Sequence, residues 1–170
     1  MPTQTFMNLS ADKQERIQTA LLNEFSHYPL SNAQVARIVK EAHIARGAFY
    51  KYFADLNDAY QYLFQIALDA VHDDLSTANY HDPQFLIEKM QQFVSKTHRS
   101  HYFELFKMHF KTNETLVPSP IQTSTSNMTA KTWMIFTLSH ETLRLIFLDE
   151  KNQELYLKRF AEALNLIKKG

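Results

Sequence analysis

The stretch Arg46-Gly47-Ala48-Phe49-Tyr50-Lys51-Tyr52 carries the side chains best suited to a defined chemistry, and that chemistry is recognition rather than catalysis. Arginine offers a planar fork that matches the acceptor pair of guanine, alanine can contact a thymine methyl, and lysine and tyrosine can hold phosphates. Gly47 has no side chain, so the backbone there can come close to a sugar-phosphate rail. On a helix, Phe49 and Phe53 reach a core together with Ile44. Arg46, Gly47, Ala48, Tyr50, Lys51 and Tyr52 remain for the outer face, and they are the candidate DNA-binding residues.

Such a face needs a support that presents it. From Ser31 to Phe53 the pattern reads as two short helices joined by a tight turn. Val35, Ile38, Val39 and Ala42 give the first of them one buried side. Ser31-x-x-Gln34 has the form of a capping box at its start. The apolar pattern breaks at His43-Ile44-Ala45 and then resumes. Upstream, Ile17, Ala20, Leu21 and Phe25 form a stripe flanked by Leu22, on a helix that Ser10 can cap and Asp12 can favour through the dipole. His27-Tyr28-Pro29 ends that helix, because proline biases the residue before it away from helix. Met1 to Leu9 is polar and is expected to fray.

The run Ala42-His43-Ile44-Ala45-Arg46-Gly47-Ala48-Phe49-Tyr50-Lys51-Tyr52-Phe53 resembles the helix-turn-helix of the TetR family of transcriptional regulators. The resemblance extends from about Ile17 to about Phe64. It implies that Arg46, Gly47, Tyr50 and Lys51 touch bases, and that Ala48 and Tyr52 touch phosphates. Three departures from the family pattern stand out. His43 replaces the usual turn glycine; histidine enters the left-handed region more readily than most residues. Ala45 replaces the usual serine, which leaves the recognition helix without a side-chain cap. Leu56 stands where a phosphate-binding lysine is common.

Composition sets the wider limits. The chain has 170 residues, two glycines, five prolines and no cysteine, with 45% hydrophobic and 13% aromatic content. Scarce glycine and few turn dipeptides predict an all-α protein. The absence of cysteine excludes disulfides, thiolate metal sites and thiol redox sensing. No apolar run approaches the ~18 residues of a membrane span, and no leader pattern opens the chain, so a soluble, cytoplasmic protein is expected. The net charge is zero, but between Val35 and Phe53 the cations Arg37, Lys40, Arg46 and Lys51 face only Glu41. That local excess is the electrostatic footprint of a modest DNA binder.

The sequence divides into a helix-turn-helix DNA-binding domain over residues 1–55 and a helical regulatory and dimerisation domain over 56–170. A long helix is predicted from Leu56 to about Ala78, a break from Asn79 to Pro83, and a helix from Pro83 to Thr97. A further helix from Tyr102 to about Lys111 is apolar on most sides. Thr112 to Ser126 reads as a loop, and helices follow over Met128–Leu148 and Gln153–Lys168. Specific helix-turn-helix binding usually needs two heads on a twofold axis, hence a homodimer on a palindromic double-stranded operator. The candidate interface is Trp133, Phe136, Leu143, Phe147, Tyr156, Phe160 and Leu164, which matches the family's dimer seam in position and pattern. Phe93, Tyr102, Phe103, Phe106, Met108 and Phe110 could line a pocket for a small apolar or planar ligand.

The main functional expectation is a dimeric repressor released by such a ligand; the alternative is a regulator whose body binds a protein partner instead. An enzyme is not expected, since no phosphate loop, nucleophile elbow or metal signature is present. His98-x-x-His101 and the group His72, Asp73, His81 and Asp82 lack a third and fourth ligand in register. No metal and no cofactor are therefore assigned.

Overall fold

The computed structural model describes residues 2–71, 82–116 and 128–169. Among them every regular element is helical. In chain order these are α1 (Gln4–Met7), α2 (Ala11–His27), α3 (Val35–Glu41), α4 (Arg46–Tyr52), α5 (Leu56–Val71), α6 (Pro83–Arg99), α7 (Phe103–Met108), α8 (Ala130–Leu148) and α9 (Gln153–Lys169). A π turn over His109–Asn113 and a 3-10 turn over Glu114–Leu116 extend α7.

Packing divides the chain into two units. The first combines Met1–Ala70 with His101–Val117, and the second combines Val71–Ser100 with Pro118–Gly170. The expected domain boundary at residue 55 is therefore not a packing boundary. Leu56–Ala70 and the α7 segment fold with the head.

In the first unit, α2 buries Ile17, Ala20, Leu21 and Phe25, and α5 buries Ala59, Tyr60, Leu63 and Ala67. α7 lies against α2 and contributes the buried Leu105 and Phe106. Phe25 meets Tyr60 edge-on at 5.2 Å, and Phe64 stacks on His109 at 4.0 Å. Several polar groups inside this core are paired, although Ser26 Oγ and Asn113 Nδ2 are buried without a hydrogen-bond partner among the described residues. The Tyr60 hydroxyl lies 3.0 Å from His109 Nδ1, and the Leu30 N–H donates to Asn113 Oδ1 at 2.9 Å. Burial pushes the Tyr60 phenol far above its ordinary range.

The second unit packs α6, α8 and α9 around Met90, Ile135, Phe160 and Leu164, with Leu86, Leu138 and Leu157 against them. Two of its helices begin as the rules of capping require. The Asp82 side chain accepts the Gln84 N–H at 3.1 Å with Pro83 in the first helical position, and Thr129 Oγ1 accepts the Thr132 N–H at 3.1 Å.

Several expectations change. Met1–Leu9 does not fray throughout: α1 forms, and Phe6 is fully buried. Ser31 does not cap α3. Residues Leu30–Asn32 form a 3-10 turn, and Gln34 is the residue before α3. Ser10 does precede α2, but its side chain makes no cap bond. Of the predicted 112–126 loop, Thr112–Leu116 is helical, and the remainder lies outside the described residues. The predicted stretch of the linking helix beyond Val71, with His72 and Asp73, and His81 of the predicted break also lie outside them.

Candidate nucleic-acid interface

The joint between α3 and α4 sets where the candidate DNA-binding residues point. His43 has φ 53°, the one positive value among the described residues other than glycine. It takes the place that glycine usually holds at a helix end. The Ile44 N–H donates to the Val39 carbonyl at 3.0 Å and the His43 N–H to the Lys40 carbonyl at 3.4 Å. That pair of bonds is the Schellman closure, which satisfies two orphan carbonyls of α3 and turns the chain sharply. α4 then starts after Ala45, which offers no side-chain cap.

α4 sits on Phe49 and Phe53, both fully buried. Phe53 packs among Phe49, Phe6 and Tyr62 at centroid distances of 5.5, 5.1 and 5.6 Å. Over this base Arg46, Gly47, Tyr50 and Lys51 are exposed, with Tyr50 at 50%, and Ala48 is half-buried. Tyr52 departs from the expected outward placement. It is 5% exposed and meets Phe6 edge-on at 5.9 Å. Its position on α4, next to Phe53 and above α1, draws the ring inward.

Arg37 also needs correction as a member of the basic cluster. Its Nε donates to Glu24 Oε2 at 2.8 Å and its Nη2 to Glu24 Oε1 at 2.5 Å. Its guanidinium lies 3.8 Å from the centre of the Tyr28 ring. The hydrogen bond with Glu24 raises the Arg37 pKa above its ordinary value. Glu24 is only 3% exposed, and the same carboxylate accepts the Gln34 N–H at 2.7 Å. A buried acid on α2 thus does the capping expected of Ser31 and fastens α3 to α2. The exposed cations between Val35 and Phe53 are Lys40, Arg46 and Lys51.

The far end of α4 is closed from the N-terminal stretch expected to fray. The Thr3 N–H donates to the Tyr52 carbonyl at 2.9 Å, and Thr3 Oγ1 donates to the Lys51 carbonyl at 2.6 Å. Beyond it, the Asp58 N–H donates to Asp55 Oδ1 at 2.7 Å and the Ala54 N–H to Asp58 Oδ2 at 3.0 Å, a box-like pair of bonds, shifted by one residue on the return, that starts α5. The Asp-x-x-Asp spacing is a legible signal for that box. The hydroxyl partner of Thr3 lies 48 residues away, and no local pattern announces it.

The expected ligand-lining residues fall into both units. Phe93 is half-buried in the second. In the first, Phe106 and Phe110 are core residues, while Tyr102 and Phe103 are half-buried. Tyr102 lines an open cleft of about 470 Å³ with Gln14, Gln18, Leu22, Leu63 and His101. Burial raises the Tyr102 pKa above that of a free phenol. Among the expected seam residues, Phe147, Phe160 and Leu164 are buried, the last two within the core of the second unit, so they serve packing. Trp133 is half exposed, and Phe136, Leu143 and Tyr156 are partly so. No three His, Asp or Glu side chains gather into a possible metal site among the described residues. Among those residues, no helix is long and apolar enough to cross a membrane.

Comparison with known proteins bears on this geometry. Residues 17–55, which hold most of α2 and all of α3 and α4, match the family model described as bacterial regulatory proteins, tetR family. The whole chain resembles the crystal structure of a TetR family transcriptional regulator from Chloroflexus aurantiacus J-10-FL, with a TM-score of 0.54 and 21% identity. That alignment covers 100% of this chain and 98% of the other. A TetR transcriptional regulator from Rhodococcus sp. RHA1 aligns with a TM-score of 0.52 and 12% identity, over 92% of this chain and 96% of that one. No curated protein matches in sequence. Residues 17–55 thus resemble the tetR family in sequence, and the fold of the chain is similar to that of the two solved regulators: an N-terminal helix-turn-helix followed by helices.

Proposed function

We propose that the chain is a transcriptional regulator that reads a palindromic duplex operator as a homodimer, and that it is a binding protein rather than an enzyme. The observation that carries the reading is the exposed row Arg46, Gly47, Tyr50 and Lys51 on a helix anchored by the fully buried Phe49 and Phe53, inside the segment that matches the tetR family model. Arg46 reads a guanine edge, Lys51 and Tyr50 contact bases or the adjoining phosphates, and Gly47 lets the backbone approach. The buried Tyr52 makes no side-chain phosphate contact in this reading, and Ala48 contributes at most a methyl contact. Twofold symmetry is supplied by the second unit through Trp133, Phe136, Leu143 and Tyr156, aided by the exposed Met134 and Leu166. Release by a small ligand completes the proposal, with Tyr102 at its cleft as the aromatic contact.

Selection of bound sequences from random duplex DNA tests this reading. A palindromic motif with half-sites about one helical turn apart is expected. Enrichment of no motif, or a protein that sediments as a monomer at micromolar concentration while bound to a single half-site, would overturn it.

A further inference from the structure

α4 is two turns long, and neither of its ends is secured by its own side chains. At its start Ala45 makes no cap bond. At its end, the Phe53 N–H closes onto the Phe49 carbonyl at 2.9 Å, which leaves the carbonyls that follow in need of donors. Thr3 supplies two: its backbone N–H to Tyr52 at 2.9 Å and its hydroxyl to Lys51 at 2.6 Å. Three residues on, Phe6 is fully buried, with ring centroids 5.9 Å from Tyr52, 5.1 Å from Phe53 and 5.1 Å from Tyr62. The Phe6 N–H returns to the Thr3 carbonyl at 3.0 Å, so the hydrogen-bonding and aromatic anchors belong to one small element.

We infer that Thr3 and Phe6 are positioning residues for DNA reading: together they form an N-terminal clip that fixes the end of α4 carrying Lys51 and so aims the whole recognition face. The inference rests on the DNA-reading role proposed above. Thr3 is exposed and contributes little to the core, so the clip acts on the aim of α4 and leaves the stability of the unit largely alone. Non-specific attraction, which depends on charge and not on register, is untouched by it.

The test compares the full-length protein with Thr3→Val, Thr3→Ser and Phe6→Leu. Three quantities are measured: thermal midpoint, affinity for a selected operator against a non-cognate duplex at fixed salt, and amide hydrogen exchange over residues 46–53. Thr3→Val keeps the shape and the backbone donor but removes the hydroxyl. It should lower the operator-to-non-cognate ratio by up to about fivefold, the worth of one hydrogen bond, and speed exchange at the end of α4, with the thermal midpoint lowered only slightly. Thr3→Ser should restore both. Phe6→Leu should also speed exchange there. Wild-type exchange over 46–53 in both Thr3→Val and Phe6→Leu overturns the clip. So does a Thr3→Val protein whose operator selectivity equals that of the wild type. A wild-type protein with no operator selectivity would refute the regulatory reading instead, and the exchange comparison would then decide the clip alone.

Discussion

Replacing Gly47 by alanine should make the protein more stable and a poorer DNA binder, and the opposite signs give the substitution its value. A Cβ built on Gly47 meets nothing within 4 Å, so the free protein has room for it. Gly47 has no positive φ, so alanine fits the backbone without strain. Alanine also restricts the unfolded chain, and the substitution commonly stabilises by about 0.4–1 kcal/mol at a compatible helical site. Gly47 is the second residue of α4, near the less demanding end of the helix, so the lower part of that range is expected. On DNA the same methyl group would stand between the helix backbone and the sugar-phosphate rail. Breaking or displacing one interaction at a reading face costs about 1–3 kcal/mol, or up to about a hundredfold in affinity. Urea unfolding gives the first quantity and operator titration the second. A Gly47→Ala protein that is more stable and binds the operator as well as wild type would refute close approach of the backbone at Gly47. One that is clearly less stable would contradict the open space the structure gives this position.

Arg46→Ala should lose about 1–3 kcal/mol of operator binding and relax selectivity at one base position, read by competition with single-base operator variants. His43→Gly should raise stability by roughly 0.5–1 kcal/mol in urea unfolding, because glycine removes most of the left-handed cost that histidine bears at φ 53°. Tyr156→Phe should raise the Asp149 pKa in a carboxyl NMR titration, because the Asn152 amide and then the Tyr156 hydroxyl, which donate at 2.7 and 2.8 Å, hold that carboxyl below its ordinary value. A depressed carboxyl stabilises the fold above the unfolded pKa and loses that contribution as pH falls through the folded one, so the variant should show a weaker loss of stability below about pH 4.

The helix-turn-helix is readable because its determinants are local. The spacing of Val35, Ile38, Phe49 and Phe53, the histidine in the turn and the exposure of Arg46 and Lys51 all follow from residues within one or two turns of each other. The positions that differ from expectation depend on partners far along the chain. Arg37 reads as a free cation in sequence because Glu24, 13 residues earlier, is on another helix. Tyr52 reads as outward because nothing nearby reveals that Phe6 will lie under it. The polar N-terminal residues give Phe6 no periodic companions, so α1 leaves no pattern to read. In the body, the helices over Pro83–Arg99, Ala130–Leu148 and Gln153–Lys169 fall within a few residues of expectation. Which of their aromatic residues turn into the core depends on pairing between helices, and composition does not encode it.

The attachment of His101–Val117 to the head has a practical consequence for anyone dissecting this protein. A fragment ending at residue 55 would lose the aromatic ceiling supplied by Tyr60, Phe64 and Phe106, together with the Asn113 amide that receives the Leu30 N–H. Phe25 and Leu21 would then face water. Such a minimal reader should be soft and prone to clumping, and a weak grip on DNA by it would say nothing about the intact molecule.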